Sequence, residues 1–490
     1  MLIKSRFITG VRMKSFIPAP KLGLNDINPH AIKAKYAVRG AIPILADELK
    51  TRLPDLPFDR IINANIGNPQ QLKQKPLTWY RQVLALLQYN ELKDMVNLPK
   101  DVVARANAIL ESVGSIGAYS HSQGDAYFRQ SIANFIKNRD GHDANIDNIY
   151  ITSGASTAVN YLLTILTKNE NSGFLIPIPQ YPLYTASIAL NNAQPIGYYL
   201  QEDQNWATSA SEIESIIEDN SHLDIKALVI INPGNPTGAV LQEKDIIELI
   251  DLLAEKGLVI IADEVYQENV FEGKFISVKK VLCDLLKKDH DKYCNVQLAS
   301  LHSVSKGITG ECGQRGGYVE LFGFDKDVEQ IFYKLASINL CSVVSGQALM
   351  ELMVNPPKKG DESYDLYIKE KSAIENDLKT RAELLYEAFC SMDHVSCKKP
   401  MGAMYLFPKL EFTQSDFPKL FKECESTNAQ PDDLYCVELL KNTGICCIPG
   451  NGFGQVEGTY HLRTTFLAPG TEWIDSWKKF HQEFIKKYKN

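Results

Sequence analysis

No cysteine occurs before residue 283, and none of the ten that follow belongs to a CxxC pair matched by a second such pair, so neither a metal module nor a disulfide framework is expected. Reduced thiols in an intracellular enzyme are the expectation, with Cys446 and Cys447 of the apolar run ICCIP serving as packing residues. Long apolar runs are also missing. The longest, such as LVIIA at 258–262, are strand-sized and far short of the roughly 20 residues of a membrane span, which predicts a soluble protein without a membrane partner. Positive charge is not in excess: 52 Lys and Arg against 59 Asp and Glu give a formal charge of −7. That balance creates no field for a polyanion, so nucleic acid is not an expected partner. No repeat of solenoid length and no low-complexity tract interrupts the chain, which argues against a stacked array.

What is present is ordinary globular usage, 44% hydrophobic and 23% charged over 490 residues. Single domains run to about 100–150 residues, so two or three packed units are expected. The first 25 residues carry basic side chains and no acidic one, the composition of a mitochondrial presequence. Their apolar residues do not gather on one helical face, and a plain basic arm fits equally, which leaves cytoplasmic and mitochondrial-matrix locations open.

From about residue 115 to 345, short β-rich runs alternate with amphipathic stretches. The runs are NIYITS (148–153), GFLIPIP (173–179), ALVIINP (227–233), GLVIIADEV (257–265) and VQLASLHS (296–303), and the clearest helix is EKDIIELIDLLAEK (243–256). Near-continuous apolar strands separated by helices predict an α/β fold with a mostly parallel sheet covered on both faces. The flanks read differently, with helices over 364–392 and short strands AMYLFPK (403–409) and TYHLRTTFL (459–467). The chain is accordingly divided into an N-terminal arm (1–30), a large domain (113–350), and a smaller α+β domain built from 31–112 and 351–490.

Four clusters follow strands, where ligands dock in open α/β sheets. In SVSKGITGECGQRGG (303–317), Lys306 is placed to form a Schiff base with an aldehyde cofactor, and Ser303 and Arg315 supply donors for a dianionic phosphate. By itself a loop lysine is usually just solvated. In ADEVY, Asp263 is placed to oppose a pyridine nitrogen and Tyr266 a ring oxygen, although an exposed turn would look alike. The turn NPGNPTG (232–238) can aim the Asn235 amide inward. In SGAS (153–156), small residues at a helix start expose backbone N–H groups to a phosphate, or form a simple cap. Tyr181 follows another strand and can stack on a ring. Arg463 interrupts an apolar strand; turned inward it demands a carboxylate, structural or substrate, and turned outward it is an ordinary edge residue. GNGFGQ (450–455) lacks the order of a nucleotide loop and reads as a turn.

The order SGAS, NPGNPTG, ADEVY, SVSKG with GQRGG resembles the fold type I aminotransferases. YAVRGAIP (36–43), ANIGNPQ (64–70), YSHSQG (119–124), IPIPQYPLY (176–184), SGQALM (345–350), VNPP (354–357), GAMYLFP (402–408) and GICCIPGNGFGQVEGTYHLR (444–463) extend the resemblance, from about residue 30 to the end, to alanine aminotransferases of eukaryotic type. The resemblance implies pyridoxal phosphate in the large domain, with Lys306 as the Schiff-base lysine, Asp263 opposite the pyridine nitrogen, and Tyr266 with Asn235 on the ring oxygen. It further implies Ala155, Ser156, Ser303 and Arg315 at the phosphate, Tyr181 over the ring, and Arg463, Asn235 and Gly67 at the substrate. Tyr119 would reach the phosphate of a neighbouring subunit, so a homodimer is implied. The implied reaction is L-alanine plus 2-oxoglutarate giving pyruvate and L-glutamate. A broader aminotransferase, a β-lyase, a cyclopropane-carboxylate synthase or a non-catalytic cofactor-binding regulator would use the same strand ends.

Overall fold

A computed structural model describes residues 21, 23–36 and 40–489; the basic arm and part of YAVRGAIP therefore lie largely outside the described residues. The central element is a seven-stranded sheet of β1 (Ile149–Thr152), β2 (Ser172–Ile178), β3 (Gln194–Tyr199), β4 (Asp224–Ile231), β5 (Val259–Asp263), β6 (Leu298–Ser303) and β7 (Gly317–Phe322). Its spatial order is β1-β7-β6-β5-β4-β2-β3. Only β7 runs against its neighbours, so the sheet is mostly parallel, as the strand pattern predicts.

Alternation along the strands builds the two covering layers. Phe174, Ile176, Val229, Ile261 and Leu301 face helices α1 (Ala155–Leu166), α2 (Leu183–Leu190) and a helix over Lys326–Ile338. Leu175, Leu228, Ile230, Ile260 and Leu298 face α3 (Glu243–Lys256) and α4 (Val278–Lys288). Helix α3 shows why such a segment folds as it does. It buries Ile246, Leu249, Ile250, Leu252 and Leu253 on one stripe, starts at a Gln242/Asp245 capping box, and ends at Gly257 with φ of 69°.

Two strands were not evident from the pattern. β3 carries Pro195 and Gly197, tolerable because it is the sheet edge. β7 carries Glu320, which pairs inside the protein with the fully buried Lys279, so a charge interrupts what is otherwise a core strand.

Ile42, Leu49 and Ile62 share a second core with Leu385, Phe389, Leu439 and Trp477, and Ile62–Asn63 pairs in parallel with Ile445–Cys446. Both chain ends thus meet in one unit. Trp79, Tyr80, Val83 and Ile109 instead pack with Phe128, Ile132, Tyr318 and Leu349. The C-terminal sheet is antiparallel: β8 (Val395–Ser396), β9 (Tyr405–Leu406), β10 (Lys409–Leu410), β11 (Ile448–Pro449) and β12 (Tyr460–Thr465). β9 and β10 hold one continuous register on β12; Pro408, which has no N–H to donate, interrupts the ladder between them. Among the described residues, no helix is long and apolar enough to cross a membrane.

Candidate active site

Because six of the seven strands run the same way, their C-terminal ends open on one edge, and the loops after β1, β2, β4, β5 and β6 leave from it. β12 of the smaller unit brings Arg463 to the same place, as its bond to Asn235 shows.

Asp263, the last residue of β5, is 5% exposed. One carboxylate oxygen accepts from the Tyr184 hydroxyl at 2.9 Å; the other, although buried, has no partner. Burial raises its pKa, against the pull of Tyr184, of the Val265 backbone N–H and of the Lys306 charge. An orphaned carboxylate oxygen costs free energy unless something donates to it, and a ring N–H is such a donor.

The neighbouring Glu264 points to the opposite side, accepting from the Val278 N–H at 2.8 Å and the Ser300 hydroxyl at 2.9 Å. Burial lifts it from 4.5 to about 7, with Arg139 opposing. A folded-state pKa above the unfolded one means that folding retains a proton. That stabilisation is full below 4.5 and lost as pH rises through about 7. The Glu264→Gln protein should therefore lose less stability than wild type on going from acid to mildly alkaline solution. The expected difference is on the order of 2–3 kcal/mol, read from calorimetric melting across pH, and parallel curves for the two proteins would contradict it.

Lys306, in the loop after β6, donates to the Gly67 carbonyl at 2.9 Å, and its Nζ lies 5.9 Å from the centre of the Tyr266 ring. Tyr266 is 2% exposed. Its hydroxyl, pushed well up by burial and by Tyr405, donates to the Tyr405 oxygen at 3.4 Å. Tyr181 sits beside this cluster with its hydroxyl 2.7 Å from that of Tyr36.

The helix α1 starts at Gly154, which has φ of 86° and no side-chain cap, leaving the first-turn N–H groups of Ala155 and Ser156 free for an anion. Arg315 reaches the same spot, donating to the Ser153 carbonyl at 3.1 Å and the Ser156 hydroxyl at 3.5 Å. The hydroxyl nearest its other side is Ser305, at 3.4 Å. Ser303 donates to the Gly316 carbonyl and accepts from the Ser305 N–H, so it braces the loop. A Cβ on Gly154 would stand 2.2 Å from Arg315 Nη2. Gly154→Ala should therefore displace Arg315 and weaken pyridoxal phosphate binding by about tenfold to a hundredfold in equilibrium dialysis, the loss of one charge-assisted contact. Unchanged affinity would remove this cradle from consideration.

Arg463 is 1% exposed. It donates to Asn235 Oδ1 at 3.1 Å and the Asn65 carbonyl at 2.6 Å, its Nε has no partner, and it is sandwiched by the Tyr405 and Phe453 rings at 4.3 and 4.5 Å. Among the described residues no carboxylate pairs with it, which turns the expected demand for an anion toward substrate.

An amine, an orphaned carboxylate, an uncapped helix start with a guanidinium, and a second guanidinium are therefore gathered at one edge of the sheet, and the set fits pyridoxal phosphate together with an amino-acid carboxylate. Tyr119 is not brought into this cluster: it is 78% exposed. Four contributors escaped the sequence reading, Ser305 beside Arg315 among them. Tyr184 and Tyr405 lie in motifs that were noticed as blocks, IPIPQYPLY and GAMYLFP, without any local mark of which phenol turns inward. Gly154 was legible only as a small residue.

The chain matches the family model for aminotransferase class I and II over residues 83–473. It is 54% identical to the mitochondrial alanine aminotransferase of Saccharomyces cerevisiae, over 97% of this chain and 82% of that protein. It is also 53% identical to an inactive alanine aminotransferase of the same yeast, over 97% and 96%. Among solved structures it is similar to the alanine aminotransferase of Pyrococcus furiosus, with a TM-score of 0.74 and 24% identity over 93% of this chain and 100% of that one. With the strand-end cluster in place and the match running through most of its length, the chain belongs to the class I and II aminotransferase family.

Proposed function

We propose that this protein transfers an amino group from L-alanine to 2-oxoglutarate, giving pyruvate and L-glutamate in a ping-pong cycle with pyridoxal phosphate. The observation that carries the reading is the Asp263 carboxylate, buried at the end of β5 with one oxygen unpartnered and acted on by the Lys306 charge, together with the buried Arg463 guanidinium, which has no acidic partner among the described residues. When bound, the cofactor supplies an aldehyde that condenses with amines and a ring that accepts electrons. The residues supply the rest. Asp263 would oppose the ring nitrogen and hold its proton, Tyr266 and Asn235 would bind the ring oxygen, and Tyr181 would cover the ring. Ala155, Ser156 and Arg315, with Ser305, would surround the phosphate, and Ser303, whose hydroxyl proton goes to the Gly316 carbonyl, would brace their loop. Arg463, with Asn235 and Gly67, holds the substrate carboxylate and thereby places its Cα proton within reach of the Lys306 amine.

The exposed Tyr119 suits a homodimer in which it completes the neighbouring site. A cytoplasmic or mitochondrial-matrix location fits the basic arm, and the yeast relative named above is mitochondrial.

One observation favours a second reading: a relative of nearly equal similarity is named inactive, so likeness alone does not carry turnover, and a binding protein without catalysis is the alternative. An absorbance spectrum separates the two. On the proposed reading, L-alanine replaces the long-wavelength band of lysine-bound cofactor with that of its aminated form, and 2-oxoglutarate restores it. A band that binds and persists unchanged through both additions would favour the alternative.

A further inference from the structure

Four buried or half-buried phenols surround the cleft, and one behaves unlike the others. Burial raises Tyr181, Tyr184 and Tyr266 well above the ordinary phenol range. Burial acts on Tyr405 too, but the charges of Lys306 and Arg463, with the hydroxyl of Tyr266, outweigh it and bring Tyr405 below that range. Its position explains this. Tyr405 is 2% exposed and stands on β9 directly opposite Thr465 of β12. That pairing lays its ring along Arg463, 4.3 Å from the guanidinium. The far end of the same ring and the lysine flank one spot: a Cβ built on Gly67 would lie 2.2 Å from the Tyr405 hydroxyl and 3.4 Å from Lys306 Nζ. The phenol thus lies with its ring on the guanidinium and its hydroxyl on the side of the amine.

We propose that Tyr405 is a further catalytic residue, whose oxygen receives a hydrogen bond from the Lys306 ammonium and steers the proton that this amine carries. The inference rests on the reading of Lys306 given above. A phenol oxygen has two lone pairs; one accepts from Tyr266 at 3.4 Å, and the other is available to the amine. On taking the substrate Cα proton, the Lys306 amine becomes an ammonium with three N–H bonds. The Gly67 carbonyl accepts one, as it already does at 2.9 Å. The Tyr405 oxygen accepts the second, which leaves the third alone free for delivery. No bond to Tyr405 forms or breaks; it restricts which proton moves. Gly67 is a glycine for the same reason, since any side chain there would occupy the place of the Tyr405 hydroxyl.

The test is Tyr405→Phe in the full-length holoenzyme, which keeps the ring against Arg463 and removes only the oxygen. The expected result is a fall of about tenfold to a hundredfold in kcat with KM for L-alanine nearly unchanged, the range of one lost hydrogen bond to a charged group. It should come with a larger isotope effect for alanine deuterated at Cα, and with a displaced pH titration of the absorbance of the lysine-bound cofactor. The last readout does not depend on turnover. A kcat within about twofold of wild type with an unmoved isotope effect and titration would overturn the proposal. So would a rise in KM alone, which would assign Tyr405 to carboxylate binding through its stack on Arg463. Lys306→Ala is the control: if that protein still turned over, the reading of the site itself would fail, whatever Tyr405→Phe did.

Discussion

Lys306→Ala is expected to bind its cofactor and to turn over at least about 10⁴-fold more slowly than wild type, because one side chain fills two roles. On the proposed reading it would anchor the cofactor aldehyde and, once displaced, take the proton from the substrate Cα. Removing a group that is both nucleophile and base has costs of this size or greater in other enzymes. Binding should survive, since the phosphate cradle at 153–156 and Arg315 is separate from the lysine and hydrogen-bonded through its own partners. Equilibrium dialysis and single-turnover kinetics check the two halves separately. Near-normal turnover in the variant would end the assignment, and a variant that also lost its cofactor would show that the lysine, more than the cradle, holds it.

Asp263→Asn should lower kcat by about three orders of magnitude with little change in fold stability. At 4 Å and an effective dielectric near 20, a carboxylate and a protonated ring nitrogen interact by about 4 kcal/mol, and asparagine removes that charge while keeping the shape. The Tyr184 hydroxyl that now donates to Asp263 at 2.9 Å can donate to an amide oxygen as well, so the strand end keeps its geometry. The native carboxyl is already raised by burial, so neutralising it relieves a desolvation cost in the cofactor-free protein. The expected signature is a protein as stable as wild type, or more so, with its catalytic rate collapsed. Steady-state kinetics beside thermal melting reads both, and a kcat within about tenfold of wild type would show that the ring nitrogen needs no charge from residue 263.

Much of the fold is legible in the residues because strand and helix signals are local. GLVIIADEV and EKDIIELIDLLAEK declare themselves by a run and a stripe, and β5 and α3 appear where those patterns lie. The two strands that escape notice are those whose packing depends on distant partners: β3 tolerates Pro195 because it is an edge, and β7 tolerates Glu320 because Lys279, 41 residues away, neutralises it inside the core.

The candidate site divides along the same line. Lys306, Asp263, Tyr266, Asn235 and Arg315 stand out because each lies at or after the end of a strand, and a parallel sheet sends all its strand ends to one edge. What the linear order leaves open is which way Arg463 faces and who accompanies it. Its bond to the Asn65 carbonyl joins residues 398 apart, and its bond to Asn235 joins residues 228 apart. The inward turn of Tyr184 onto Asp263 and of Tyr405 onto Tyr266 has the same character. The residue types and their placement at strand ends belong to the chain itself, since backbone periodicity acts over a few residues. The pairing of amine with phenol, acid with phenol, and guanidinium with amide belongs to the packing of the two chain ends against the central sheet, because burial and electrostatics act between groups that no local pattern relates.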